Sequence, residues 1–399
     1  MGESKLIKKA FKLRLYPTKE QERKMWQHVG SCRFVWNYML ALQEERYKAG
    51  EKHLSGFDMN KMLTPLKNDG EHNWLYEVSN RSLQITCSDL ADAYNMFFKK
   101  KHKHPKFKSR KTDRPSFPVD NTSFYFKDER HCNIQKIGKV KVKTKKSFPI
   151  GNKVCKFYNP RVSYDEAKKR WIIAFAMDVE VDQEELTDKL MGVDLGVKDL
   201  ANVAFGDENV VFHNINKSKR VRSLEKKKRH IQRNISRKYE ASKKRTGRYE
   251  KTNGILREEQ KLREVQARLN GIRQNYTHQV THKLVSMLPE KITMEDLNVS
   301  GMMKNKHLAR SISEQRFHEF LRQMEYKCDW NGIELVKADR FYPSSKTCSS
   351  CGSIKKDLKL SDRTYVCPEC GLTIDRDYNA AINLQKYVAG EDEAMAYPG

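Results

Sequence analysis

No stretch of this 399-residue sequence approaches the run of about 20 apolar residues that a membrane-spanning helix requires. The most apolar segment, WIIAFAM at 171–177, is only as long as a strand, so the pattern predicts a soluble chain with no membrane partner. Residues 1–16, MGESKLIKKAFKLRLY, carry basic residues but lack the apolar middle of a signal peptide, which argues against secretion. Leu6 also breaks the acylation pattern that the opening Met-Gly suggests. There is no internal repeat and no long Gly/Ser linker, so neither a solenoid nor a string of loosely tethered modules is expected. Cysteine is odd in number, at nine, and Cys32, Cys87, Cys132, Cys155 and Cys328 are scattered, which suits a reducing compartment better than a disulfide framework.

Acidic charge is scarce beside basic charge. Lys and Arg outnumber Asp and Glu by 78 to 51, a surplus of +27 with a pI near 9.6. A surplus of that size implies a large polyanionic partner, and nucleic acid is the first candidate. The basic residues cluster in FKKKHKHPKFKSRK (98–111) and in KSKRVRSLEKKKRHIQRNISRKYEASKKR (217–245), with Phe98, Phe107, Ile231 and Tyr239 interleaved. Length and a 38% apolar fraction together predict two or three folded domains.

KAFKLRLYP (9–17) alternates with period two and stops at a proline, as a strand does. Thr18 and Gln21 have capping-box spacing, and Met25, Trp26, Val29, Val35, Trp36, Met39 and Leu40 then follow at helical intervals. A second helix is predicted over 79–98, with Leu83, Cys87, Leu90, Ala91, Tyr94 and Phe98 on one face. From 115 to 182 short strands are predicted at SFPV, SFYF, KVKVKT, VCKFY, RVSYD and RWIIAFAMDVEV, suggesting a small barrel that begins at the N-terminus and is interrupted by a helical insertion. After Gln183 the pattern turns to α/β: strand, hairpin strand, long basic helical segment, strand, helix, strand. Leu262, Val265, Leu269, Ile272 and Tyr276 mark a helical seam, whereas 217–245 has few apolar anchors and is expected to be ordered mainly by a bound polyanion.

Four motifs carry chemistry. Cys348-Ser-Ser-Cys351 and Cys367-Pro-Glu-Cys370 supply two Cys-x-x-Cys knuckles, four thiolates for a tetrahedral structural Zn²⁺ with no open position, two disulfides or an iron–sulfur site being the alternatives. In MGVDLGVKDLANVAF (191–205), Asp194 lies within an apolar strand where an ionised carboxylate is costly unless a cation meets it, and Gly192 and Gly196 would let a ligand backbone approach; taken alone, the motif fits a capping or hydrogen-bonded structural Asp equally well. KITMEDLNV (291–299) ends another apolar strand with Glu295 and Asp296. Neighbours on a strand face opposite ways, so only one joins a site with Asp194; Glu295 is chosen, with Asp296 left to the following turn. Asp375 and Asp377 precede a helix with Asn379, Ala380, Ala381 and Asn383, whose alanines would let it pack close on a sheet and bring one carboxylate to Asp194. Three carboxylates can hold two divalent ions about 4 Å apart, the arrangement of phosphodiester hydrolysis, and oxygen ligands favour Mg²⁺ or Mn²⁺. The order of these motifs on a basic chain makes a nuclease the expected class.

The stretches GVDLGVKDLA, MEDLNVSGMMKN, ADRFYPSSKTCSSCG and CPECGLTIDRDYNAAINL, with weaker matches in FKLRLYPTKEQ, CRFVWNYML and LADAYNMFFKKKHKHPKFKSRK, resemble the transposon-encoded TnpB family, relatives of the compact type V CRISPR effectors. The resemblance implies a multidomain α+β chain. A split, wedge-type (OB-like) β-barrel would span 1–16 and 112–183, with a helical recognition lobe at 17–111. An RNase H-like α/β RuvC nuclease domain would span 184–346 and 374–399, with a zinc ribbon inserted at 347–373. It implies Asp194, Glu295 and Asp377 as catalytic Mg²⁺ ligands, with Asp375 as the alternate. The implied activity is RNA-guided cleavage of both DNA strands at a site beside a short adjacent motif, one protein per guide RNA, in the cytoplasm or nucleoid of a prokaryote or the nucleus of a eukaryotic host. Asn80 and Gln84 fall where relatives contact the adjacent motif. Lys99, Lys101, Lys106, Lys226, Arg229, Arg233 and Arg237 are the expected nucleic-acid contacts in the basic clusters. The alternatives are an unguided transposase or resolvase and a non-catalytic RNA-guided regulator. With a recognition lobe of only about 80 residues, the guide RNA is expected to supply much of the scaffold.

Overall fold

The structure, a computed structural model, describes residues 4–144, 156–359 and 361–388. Cys155 and the first residues of the expected VCKFY strand lie outside them. Two compact units divide the chain: Leu6–Glu180, and Met1–Lys5 together with Val181–Gly399.

In the first unit, β1 (Ser4–Tyr16) ends at Pro17 and α1 (Lys19–Lys48) begins with the expected capping box. The Gln21 amide donates to Thr18 Oγ1 at 3.2 Å, and the Thr18 amide donates to Gln21 Oε1 at 3.0 Å. The helix continues unbroken for 30 residues and buries Met25, Val29, Val35, Met39 and Leu40; Trp26, placed on that face by periodicity, stays 40% exposed. A further helix not predicted from the pattern, α2 (Gly56–Lys67), carries its own capping box at Ser55 and Asp58. α3 (Asn80–Phe98) is capped by Ser79 and buries Leu83, Cys87, Leu90, Ala91 and Tyr94. Phe98 departs from that face and is 57% exposed, because the helix ends there.

These helices lie, in sequence, between β1 and six further strands: β2 (Ser116–Pro118), β3 (Tyr125–Asp128), β4 (His131–Ile134), β5 (Gly138–Lys143), β6 (Phe157–Asp165) and β7 (Arg170–Asp182). All seven form one sheet in the order β2-β6-β7-β1-β5-β4-β3, so the N-terminal strand pairs in the middle of strands more than a hundred residues away. The separate strands expected at VCKFY and RVSYD are one strand, β6, with a register shift between Tyr158 and Arg161 where Asn159 takes a φ of 48°. The short β4 was not foreseen. Phe117, Phe124, Val140, Val162, Ile173 and Phe175 join the helices' apolar faces in one core.

The second unit is built on β8 (Leu190–Leu195), β9 (Asp199–Phe205), β10 (Glu208–His213), β11 (Lys291–Glu295) and β12 (Glu334–Ala338), ordered β10-β9-β8-β11-β12. The first three form an antiparallel meander, whereas β11 runs parallel to both β8 and β12. Between β10 and β11 lie the long helices α4 (Lys219–Thr246) and α5 (Asn253–Val285). The few apolar anchors of α4 do more than expected: Val221 and Ile231 are buried with Val265 and Leu269, so packing on α5, and not a polyanion alone, helps order it. Between β11 and β12 come α6 (Val299–Met302), α7 (Ala309–Gln315) and α8 (Phe317–Asn331). The hairpin of β13 (Thr364–Val366) and β14 (Thr373–Asp375) then leads without a break into α9 (Arg376–Lys386).

Candidate metal centres

The parallel pairing of β8 with β11 matches Gly192 to Thr293 and Val193 to Met294. One residue further along, Asp194 and Glu295 stand level at the ends of adjacent strands, where residues in register project from the same face. Asp194 pairs across to Asn202 on β9, and Glu295 to Ala338 on β12. Asp296 turns elsewhere: its carboxylate holds Arg340 at 2.7 Å, in place of the turn role expected for it.

Helix α9 completes the cluster, and Gly192 is why it can. A Cβ at Gly192 would lie 2.0 Å from the Ala381 carbonyl oxygen and 2.3 Å from the Gln385 nitrogen. The glycine therefore admits the backbone of α9, not the ligand backbone expected from sequence. Ala380 and Ala381 are buried at this contact, and Gln385 Nε2 donates to the Leu190 and Gly206 carbonyls, both at 3.1 Å.

The two aspartates before α9 do different work. Asp375 is the N-cap: its Oδ1 accepts the amides of Asp377 at 2.9 Å and Tyr378 at 3.1 Å. Asp377 sits in the helix's first turn, half-buried. Desolvation pushes the Asp194 carboxyl well above the ordinary carboxylate range, and the negative charges of Glu295 and then Asp377 push it further; Arg376 opposes them, and Asp375 adds a smaller push. The cluster thus carries more negative charge than its surroundings balance, as suits a hard divalent cation held by carboxylate oxygens. Its ligand atoms are spread more widely than those of the cysteine cluster, which is the sole described group of three or more acidic, His or Cys residues with all ligand atoms within 4.8 Å of one another.

Ser344 is a site residue that sequence reasoning did not assign. Its buried hydroxyl donates to Glu295 Oε1 at 2.6 Å. Its carbonyl accepts from Asn383 Nδ2 at 2.7 Å, and the same amide group donates to the Thr347 carbonyl at 2.7 Å. Asn379 Nδ2 also donates to the Thr347 carbonyl, and Asn379 Oδ1 accepts the Ser349 amide at 3.0 Å. Both asparagines are buried, so α9 is stitched to the chain entering the first cysteine knuckle. The only signal in the sequence was a pair of asparagines four residues apart, the spacing that puts both on one helical face.

The four cysteines converge. Cys348 and Cys370 Sγ are 3.6 Å apart, as are Cys351 and Cys367 Sγ, and no described cysteine forms a disulfide. A tetrahedral ion with bonds of about 2.3 Å sets its thiolates just under 4 Å apart, so the spacing fits zinc. Hydrogen bonds from the Cys370 backbone and then Ser353 Oγ lower the Cys367 thiol to about 6, whereas, against a backbone bond with Leu372, desolvation and the neighbouring sulfurs push Cys370 up to about 11.

The expected nucleic-acid contacts remain spread over their elements. Lys226, Arg229, Arg233 and Arg237 are all exposed and recur at helical spacing along α4, and Lys99, Lys101 and Lys106 are exposed after α3. Asn80 is engaged by Lys67 Nζ, and Gln84 Oε1 accepts from Arg81 at 3.0 Å. A buried network anchors the α4–α5 pair near the acidic cluster. Arg273 bridges Glu225 at 3.1 Å and Glu314 at 3.5 Å and donates to Asn216 Oδ1 at 2.7 Å, while Gln315 donates to the Gly196 carbonyl at 3.1 Å, two residues beyond Asp194.

Three family profiles match the chain: a "Helix-turn-helix domain" at residues 1–52, a "Probable transposase" at 174–306 and a "Cas12f1-like, TNB domain" at 317–384. The first of these segments folds here as a strand and one continuous helix. A "Putative RNA-guided DNA endonuclease" of Streptomyces pristinaespiralis is 30% identical over 378 residues, 95% of this chain and 89% of the relative. The "Putative RNA-guided DNA endonuclease InsQ" of Escherichia coli K12 is 29% identical over 94% of this chain and 91% of its own. The "CRISPR-associated endodeoxyribonuclease Cas12f1" of Sulfoacidibacillus thermotolerans is 25% identical over 56% of this chain and 52% of its own. These relatives are named as nucleases acting on DNA, a class that the acidic cluster on a basic chain suits. Within it, the chain belongs to the TnpB family.

Proposed function

We propose that the chain is an RNA-guided DNA endonuclease that binds a guide RNA and hydrolyses both strands of a matching duplex at a single carboxylate site. The observation that carries this reading is the β8–β11 register, which sets Asp194 beside Glu295, with Asp377 delivered by α9. Relatives matched along nearly the whole chain bear that activity in their names, which supports it.

The strand order β10-β9-β8-β11-β12, an antiparallel meander followed by two parallel strands, supports an RNase H-like fold of RuvC type for 184–346 and 374–399. We assign 347–373 to a zinc ribbon held by Cys348, Cys351, Cys367 and Cys370. We assign 1–16 and 112–183 to a wedge β-barrel and 17–111 to a recognition lobe. The pairing of β1 between β7 and β5, on either side of a helical insertion in the chain, supports that division.

Asp194, Glu295 and Asp377 would hold Mg²⁺ or Mn²⁺, which when bound supplies activation of water and neutralisation of the leaving oxygen. Ser344 holds the Glu295 carboxylate, while Asp375 is consumed by capping α9, leaving Asp377 in the first turn close enough for its charge to act on Asp194. Exposed α4 cations and Lys99, Lys101 and Lys106 would track phosphate backbones of the guide–target duplex, leaving sequence to base pairing. Asn80 and Gln84 would contact the adjacent motif, with their amide oxygens exchanging Lys67 and Arg81 for it or their amide nitrogens donating to it.

Asp194→Ala is expected to abolish cutting in a plasmid cleavage assay while leaving RNA-dependent DNA binding near wild type. Cutting retained by the purified variant would remove Asp194 from the site. Activity that survives stripping of all bound RNA would instead favour an unguided nuclease.

A further inference from the structure

The first unit contains a cavity of about 330 Å³ between α1, α3, residues 108–118 and β6. One wall is aromatic. The Trp26 indole is 40% exposed and packs edge-on with Trp171, ring centroids 4.9 Å apart, and tilted against Tyr164, at 5.1 Å. Gly30 on the same helix leaves open space, since a Cβ there would meet nothing within 4 Å.

The remaining walls are cationic. Arg33, Arg110, Arg114, Arg161 and Lys108 line the cavity against two carboxylates, Asp89 and Asp113. Both acids are already occupied. Asp89 accepts from Arg161 at 2.6 Å, while Asp113 accepts the Ser109 amide and the Thr112 hydroxyl and so closes its own loop. Lys108 is held by a ring, its ammonium 3.4 Å from the Trp36 centroid. Arg33 and Arg110 have no ion-pair or hydrogen-bond partner among the described residues, and Arg33 is half-buried. A guanidinium withdrawn from water without an anion is poised for a ligand that brings one.

We propose that this cavity binds one unstacked nucleotide, its base against Trp26 and its phosphate toward Arg33 and Arg110. The volume lies at the small end of ligand sites, which run from about 300 to 1,000 Å³, and so accommodates a mononucleotide and not a stacked run. A bare anion would leave the indole uncovered, and an uncharged aromatic would leave the two arginines unpaired. The inference rests on the proposed function only in taking the aromatic anion to be part of a nucleic acid, and either an RNA or a DNA strand could supply it.

The test is photocrosslinking in the assembled complex. Guide RNAs, and separately target DNAs, are substituted with a photoreactive analogue of one nucleoside at a time, irradiated, and mapped by mass spectrometry. Adducts to Trp26 from a single nucleotide position support the proposal, the RNA or DNA arm identifying the strand. Arg33→Gln is expected to lower that yield at least tenfold, and Arg110→Gln, at the exposed rim where folding is not at stake, in the same direction; Lys61→Gln, an exposed change on α2, leaves it unaltered. Absence of Trp26 adducts in both arms, adducts spread over many positions, or yields indifferent to Arg33→Gln would overturn the pocket while RNA binding and cleavage persist. Failure of the whole chain to bind RNA would sink the functional reading, and this inference with it.

Discussion

At the scale of single residues, the acidic cluster depends on neighbours that carry no charge. The Ser344 hydroxyl holds Glu295 at 2.6 Å, and a hydrogen bond to a charged group is worth about 1.5–3 kcal/mol. Ser344→Ala is therefore expected to slow cleavage by about 10–100-fold, as loss of an outer partner of a metal ligand does, with DNA affinity unchanged; single-turnover rates beside filter binding check it. Gly192→Ala acts differently, because its methyl would collide with the backbone of α9 at 2.0 Å. It is expected to cost about 3 kcal/mol of stability and to depress cleavage by displacing Asp377, measurable by denaturant unfolding and cleavage assay. The convergence of the four cysteines was legible in the sequence because paired Cys-x-x-Cys thiols have few other uses, whereas a lone carboxylate in an apolar strand such as Asp194 serves equally as a structural group, and only the fold sets it level with Glu295. Ser344 was not legible, since nothing local distinguishes a serine after a proline until the fold brings Glu295 to it from 49 residues away.

Elements show the same division between local and long-range information. The 30-residue α1 was foreseen in its start and face because capping and periodicity are written in adjacent residues. Helix α2 escaped notice, being only 12 residues long with Pro65 inside it, and so did the four-residue β4. The role of Gly192 was misjudged because the partner it admits, α9, is almost two hundred residues away in the chain. The ribbon and α9 are mechanically one element: β14 runs directly into the helix, while Asn379 and Asn383 grip the segment entering the first knuckle. On the proposed assignment of zinc to the four cysteines, the ion should therefore matter to a site it does not touch. Chelating the zinc, or replacing Cys351 with Ser, is expected to lower cleavage at least tenfold, with recovery of the chelated protein on adding Zn²⁺ but not Mg²⁺. Cleavage unaffected by verified zinc loss would show that the asparagine contacts hold the helix unaided.

At the scale of the whole molecule, the surplus of +27 is the largest imbalance that the fold itself leaves uncompensated. Like charge opposes compaction, and α4 alone ends in Lys243, Lys244 and Arg245 after a line of exposed cations. Packing with α5 helps order that helix, yet Lys226, Arg229, Arg233 and Arg237 form no ion pair among the described residues, and a polyanion would supply their counter-charge. Guide RNA binding the folded state should thus stabilise it by mass action, about 2.7 kcal/mol when free RNA stands 100-fold above its dissociation constant. For units of this size each kcal/mol moves the melting temperature by about 2–4 °C, so a rise of roughly 5–10 °C is expected on adding guide. Raising salt weakens phosphate contacts through counterion release while screening the self-repulsion of the bare protein. Both changes narrow the gap, so the two melting curves should converge as ionic strength increases. Coincident curves at low salt would mean that the cations are already balanced within the protein, and the guide would then be a passenger in folding and not part of the scaffold.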